Sequence, residues 1–244
     1  MINKYYNNET KTLNLPNYFN KELKDIPKDT EIIFFDQNSL FNNLVDNLPE
    51  TLTHLTFGDI FNQSVDNLPE TLTHLTLGRE FNQSVDKLPL SLTHLYFGCF
   101  FNQPVDNLPT NLTYLFFSDD FNQPVDNLPL SLTHLTFGFN FNQSVDNLPE
   151  NIIVLKLFGS KNNNIIIPKN VKELYIYNDN ILINNLPEHI EKLFILFNYF
   201  SKTKIENLPI TLKEIIVEKN KYIKYIKIPF ETKIIVDDEL FIYY

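Results

Sequence analysis

Cysteine occurs once, at Cys99, and glycine only five times in 244 residues. A single thiol excludes an intramolecular disulfide framework and any zinc site built on several cysteines. So little glycine, beside 43% apolar residues, excludes a flexible low-complexity chain. No apolar run is long enough to span a bilayer, so no membrane association is expected. The opening Met1 to Glu9, MINKYYNNE, lacks an apolar stretch of signal-peptide type, and a reducing, cytoplasmic location is the expectation. Positive charge is scarce in the first 150 residues, which carry 7 basic and 19 acidic side chains, against 13 and 11 in residues 151–244. A net −12 over that first part repels phosphate backbones, so no nucleic-acid partner is expected. The signatures of common active sites are missing too: no G-x-S-x-G, no glycine-rich phosphate loop, no H-E-x-x-H, and no base placed to activate Cys99. The chain is read as non-enzymatic, with no cofactor and no metal.

What is present is repetition. Phe41, Phe61, Phe81, Phe101, Phe121 and Phe141 recur every 20 residues. Each opens a unit like that from Phe61 to Gly78, FNQSVDNLPETLTHLTLG. Numbered from the Phe, the apolar positions are 1, 5, 8, 12, 15 and 17. Position 2 is Asn, 6 Asp, 9 Pro and 18 usually Gly. Residues 41–150 keep the pattern closely. Residues 10–40 and 151–237 keep it loosely, through Ile26-Pro27, Ile167-Pro168, Leu186-Pro187, Leu208-Pro209 and Ile228-Pro229. The whole of 1–244 therefore reads as one repeat domain.

Alternation of Leu55 and Phe57 with Thr and His is the period of a half-buried strand. Pro49, lacking a donor, marks the bend before that strand, and Gly58 is expected to supply a positive-φ turn after it. Twenty residues cannot enclose six apolar side chains, so coils must stack and share them. The expectation is a mainly β solenoid of about 11–12 coils, with one parallel sheet on the concave face at about 4.8 Å per rung. The Asn-Gln-Ser/Pro-Val-Asp-Asn-Leu-Pro stretch has poor helix propensity, which predicts extended or turn-like convex segments.

The run L-P-x-x-L-x-x-L-x-[FL], as in Leu68 to Leu77, resembles leucine-rich repeats. The ladder asparagine of that family would fall at position 20, where this chain has Ile60, Glu80, Phe100 and Asp120; its own Asn comes two residues later, at Asn62, Asn82, Asn102, Asn122 and Asn142. The opening Phe-Asn-Gln-Pro/Ser, with Leu-Pro and L-T-H-L-x-F-G, is similar to the FNIP repeat, a family of social amoebae and of the giant viruses that infect amoebae. The resemblance implies a leucine-rich-repeat-like fold, an interaction role and, for a viral member, the host cytoplasm.

Three columns of polar residues follow from stacking. Position 14 holds His54, His74, His94, Tyr114 and His134, facing outward on the concave side. A metal site or proton sensor is one reading, but imidazoles in one column point parallel rather than converging, and a duplicated surface residue is the reading preferred. Position 6 holds Asp46, Asp66, Asp86, Asp106, Asp126 and Asp146, read as Asx-turn acceptors for backbone N–H groups rather than calcium ligands. The Asn column at position 2 is read as buried, satisfying backbone groups along the stack.

Position 16 also faces outward, and there the sequence departs from Thr: Phe34, Tyr96, Phe116, Lys156, Tyr175, Phe194 and Ile216. Aromatic residues on an exposed sheet face are interface material. The candidate interaction surface is thus His54, His74, His94, Tyr96, Tyr114, Phe116, His134, Tyr175, Phe194 and Ile216, with a protein as partner. The alternatives are a structural or decoy array without a specific partner, and a solenoid that binds a small ligand or ion.

Overall fold

A computed structural model describes residues 2–159, 166–177, 186–196 and 204–237. One 13-stranded sheet runs through them in sequence order. Its strands are β1 (Tyr6–Asn7), β2 (Thr12–Leu15), β3 (Ile32–Phe35), β4 (His54–Thr56), β5 (His74–Thr76), β6 (His94–Tyr96), β7 (Tyr114–Phe116), β8 (His134–Phe137), β9 (Val154–Leu157), β10 (Glu173–Tyr177), β11 (Lys192–Leu196), β12 (Glu214–Val217) and β13 (Lys233–Val236). From β2 onward every pairing is parallel, and equivalent repeat positions face one another: His54 pairs with His74, Leu55 with Leu75, Thr56 with Thr76. This is the expected β solenoid. No α-helix occurs among the described residues, and the segments between strands are turns, as the poor helix propensity of that stretch predicts.

The strands are only two to five residues long, so packing and side-chain hydrogen bonds must carry what a short ladder cannot. The packing is aromatic. The six Phe rings at position 1 lie in one column, 6.0–6.2 Å apart and nearly parallel. Where position 17 is also Phe, its ring stacks on the Phe four residues later: Phe57 on Phe61 at 3.6 Å, Phe97 on Phe101 at 3.7 Å, Phe117 on Phe121 at 3.8 Å. All six apolar positions of the regular unit are buried, as Phe61, Val65, Leu68, Leu72, Leu75 and Leu77 illustrate. Burying a side chain of this size contributes roughly 1.5–3 kcal/mol.

Hydroxyls close the coils against one another. Thr71 Oγ1 donates to the Leu52 carbonyl at 2.8 Å and Ser91 Oγ to Leu72 at 2.6 Å, so position 11 bonds to the backbone one coil back. Position 13 does the same, with Thr73 donating to the Thr53 carbonyl at 3.0 Å. The turn before each strand is closed by the Leu N–H donating to the Pro carbonyl, as in Leu72 to Pro69 at 3.0 Å.

Three expectations are corrected. No glycine has positive φ. Gly78 is required instead by close approach, since a Cβ there would lie 1.9 Å from the Gly58 carbonyl oxygen. The Asn column is not buried: Asn62, Asn102 and Asn122 are half-buried, Asn82 and Asn142 exposed. It still forms a ladder, each Oδ1 accepting the next coil's Asn N–H, as from Asn122 to Asn102 at 2.9 Å. The same oxygen accepts a Gln amide, Gln123 Nε2 at 3.1 Å, so the glutamines belong to the ladder as well. Finally, the Asp carboxylates accept mainly from the next coil's Asn side chain rather than from their own turn: Asn107 to Asp86 at 3.1 Å, Asn127 to Asp106 at 2.9 Å.

A short 3-10 helix, Ile2–Tyr5, leads into β1, which pairs antiparallel with β2 and so covers the amino-terminal edge of the sheet. Tyr5 sets its ring edge-on against Phe19, 6.0 Å away, ending the aromatic column. No simple sequence signal marks this cap, because it lies outside the repeat.

Candidate functional site

Strand alternation turns positions 14 and 16 to the outer face of the sheet, opposite the buried positions 15 and 17, and position 13, just before the strand, is half-buried beside position 14. Position 14 forms a continuous stack of flat rings. His54 and His74 lie 4.1 Å apart, as do His74 and His94; Tyr114 continues the stack at 4.4 Å and His134 at 4.0 Å, all within 14° of parallel. Each imidazole is held by the residue before it. His74 Nδ1 lies 2.8 Å from Thr73 Oγ1, and His54, His94 and His134 repeat the geometry at 2.8–2.9 Å.

Crowding of like groups sets the electrostatics. Burial, then the neighbouring His54 and His94, push the His74 imidazole down to about 4. Burial also lowers His94 and His134, with Glu173 acting in the opposite sense on the latter. His74 is therefore neutral at pH 7, and burial favours the neutral form of His94 and His134. Their ring nitrogens point in parallel, and no group of three or more His, Cys, Asp or Glu among the described residues is placed to hold a metal ion.

Position 16 divides into two environments. Tyr96 is 37% exposed and Phe34 45%, with Phe116 half-buried beside Tyr96 at 6.2 Å between rings. In the later coils Tyr175 and Phe194 stack face to face at 3.7 Å, and Lys156 sits over the Tyr175 ring at 4.6 Å. Burial lowers the Lys156 ammonium and raises the Tyr175 phenol to about 12, Glu173 adding to the latter. Ile216 was expected on the exposed surface; it is only 5% exposed and leaves that set. The cause lies at position 18. That position is Gly in most regular coils, leaving position 16 open to solvent, but Phe158 and Leu196 occupy it later and join Ile216 in a second small core against Tyr175, Phe194 and Ile235.

Beside that second core, the His stack gives way to alternating charge. Along position 13 run Lys172, Glu191 and Lys213; along position 14 run Glu173, Lys192 and Glu214. Lys172 and Lys213 pair with Glu191 at 3.1 and 2.6 Å, and Lys192 with Glu173 at 3.3 Å and Glu214 at 3.8 Å. Exposed pairs of this kind add little to stability. Their alternation disfavours any slip of one coil against the next, because a slipped register sets like charges side by side.

Comparison with known proteins agrees with this fold. The FNIP Repeat family matches residues 61–100 and 101–140. Among solved structures the chain is similar to CroV588 of a giant virus, described as a novel circular leucine-rich-repeat protein, with a TM-score of 0.70 and 35% identity over 89% of this chain and 35% of that one. It therefore spans about a third of the length of CroV588. YopM from Yersinia enterocolitica WA-314 is similar at a TM-score of 0.56 and 17% identity, covering 90% of this chain and 54% of YopM, a likeness of fold alone. No curated protein matches the chain. No helix among the described residues is long and apolar enough to cross a membrane. The FNIP repeat is thus matched over residues 61–140, and a leucine-rich-repeat-like coil architecture is shared with CroV588 over 89% of this chain.

Proposed function

We propose that the protein is a non-enzymatic scaffold that binds a protein partner across the outer face of its sheet. The observation that carries this reading is the uncharged, ring-rich surface from β4 to β8 in a chain whose net charge is −10. Over those five rungs, positions 13, 14 and 16 hold only Thr, His, Tyr and Phe. Exposed rings held rigid by stacking are the side chains that anchor protein interfaces, because they bury large areas at little entropic cost. The parallel ring nitrogens do not converge on a reacting atom or an ion, which favours a binding face over a catalytic one.

The test is capture from a cell lysate by the immobilised full chain and by Tyr96→Ala/Phe116→Ala. Partner capture lost in the variant, with an unchanged melting curve, supports the reading. Equal capture by both proteins removes the sheet face as the site, and absence of any specific prey favours a structural array.

A further inference from the structure

The hydroxyl of Thr73 has one proton, and two neighbours compete for it. Its Oγ1 lies 3.0 Å from the Thr53 carbonyl oxygen and 2.8 Å from His74 Nδ1. The carbonyl can only accept. Were the hydroxyl proton given to Nδ1, two acceptor oxygens would face each other at 3.0 Å with nothing between them. The proton therefore goes to the carbonyl, and His74 Nδ1–H donates to Thr73 Oγ1. Thr53, Thr93 and Thr133 reach the preceding coil's carbonyl at 3.0–3.1 Å and hold His54, His94 and His134 in the same way. All four imidazoles thus carry their proton on Nδ1, and each Nε2 is left as a bare acceptor. Rings stacked about 4.1 Å apart turn those acceptors into a row.

The surroundings of the row say what it would take. It offers acceptors and aromatic faces but no cation between β3 and β8 on positions 13, 14 and 16. At its amino-terminal end stands exposed Glu31, just before β3 and one rung from Lys11, whose ammonium is paired with Asp29, with exposed Phe34 on β3 itself. At the other end Lys156 closes the strip with positive charge. A guanidinium suits this chemistry: it carries five donors and no acceptor, stacks on aromatic rings, and complements the negative chain.

We propose that the strip from Glu31 and Phe34 through His54, His74 and His94 to Tyr96 docks an arginine-bearing segment of the protein partner, its guanidinium N–H groups donating to the Nε2 row and to the Glu31 carboxylate. This rests on the sheet face being the binding face.

Two measurements on the full chain test it. Long-range nitrogen–proton NMR of the imidazoles at pH 7.5 should show Nδ1–H tautomers for the four column histidines; Nε2–H in the column overturns the proposal, because donors would then line the strip. Second, peptides are selected on the chain from a displayed random 12-residue library at pH 7.5. Arginine should be enriched in them, and Glu31→Gln and His74→Phe/His94→Phe should each weaken a selected peptide about tenfold or more without lowering the melting temperature. Peptides without arginine, none at all, or affinities unmoved by both variants overturn the proposal. If such peptides still lose binding in Tyr96→Ala/Phe116→Ala, the sheet-face reading stands without it. If they do not, both readings fall.

Discussion

The imidazoles of His54 and His74 lie face to face, 4.1 Å between centroids and 13° from parallel, one coil apart on the outer sheet face. Stacking of neutral rings is favourable at that distance, whereas two imidazolium ions there repel.

A pH dependence of stability follows, with its sign. The folded His74 value is about 4, against an ordinary 6.5, so the fold favours the neutral ring. A depressed value contributes stability that is complete above about pH 6.5 and is lost as pH falls toward 4. His94 and His134, lowered in the same direction, add to the loss. The groups that modulate it are His54, Glu173 and Lys156. Carboxylates titrate in the lower part of this window, so a variant isolates the ring. His74→Tyr keeps a flat ring, as Tyr114 does in the same column, and should flatten the decline in urea midpoint between pH 7 and 4.5. Parallel profiles for the two proteins would count against the stack as its source.

Much of this was legible in the sequence, and the boundary of legibility is physical. The period of 20 placed the interior positions of the regular coils, because burial of Phe, Val and Leu at fixed spacing has one solution when coils stack. It also placed His54, His74, His94, Tyr114 and His134 in one outward column, since strand alternation leaves them no other side. Exposure at position 16 was not legible for Ile216, because it depends on the bulk of position 18, a neighbour the consensus leaves as glycine. Nor was the partial exposure of Asn102: an amide that bonds to the next coil looks, in sequence, the same whether the bond is covered or open to water.

Asn102 and Gln103 now differ by role rather than by burial. Asn102 Oδ1 accepts two bonds from the next coil, and Gln103 donates one to Asn82 at 3.0 Å. Asn102→Ala should cost about 1–2 kcal/mol, for it leaves a backbone N–H dependent on water. Gln103→Ala should cost about 0.5 kcal/mol, the low end for one hydrogen bond. Urea midpoints at pH 7 compare them, and equal losses would mean the amide pair acts as one unit.

Phe194 and Tyr96 share position 16 but not its consequences. Phe194 is half-buried, stacked on Tyr175 and packed against the second core. Phe194→Ala should therefore lose roughly 2–3 kcal/mol, less than the ~3–5 kcal/mol for a fully buried aromatic because the ring is only half-buried. Tyr96→Ala, at an exposed ring in tilted contact with Phe116, should stay within about 0.5 kcal/mol. Thermal melts decide it: a stable Phe194→Ala would place that ring on the binding face after all.

Glu218 is 4% exposed, a carboxyl inside the fold beside the 3-10 helix Asn220–Tyr225. Burial pushes its value up, against the pull of Lys219 and a hydrogen bond with Tyr222. A raised carboxylate works against the fold at neutral pH: the protonated form is preferred, so the cost is absent below about pH 4, close to the ordinary value, and grows as pH rises through the folded value. Gln cannot ionise and keeps the shape of the side chain. Glu218→Gln should therefore raise the denaturation midpoint at pH 7 and leave it unchanged near pH 4. A variant less stable at pH 7 would show that the ionised carboxylate, held by Lys219 and Tyr222, supports this coil rather than burdening it.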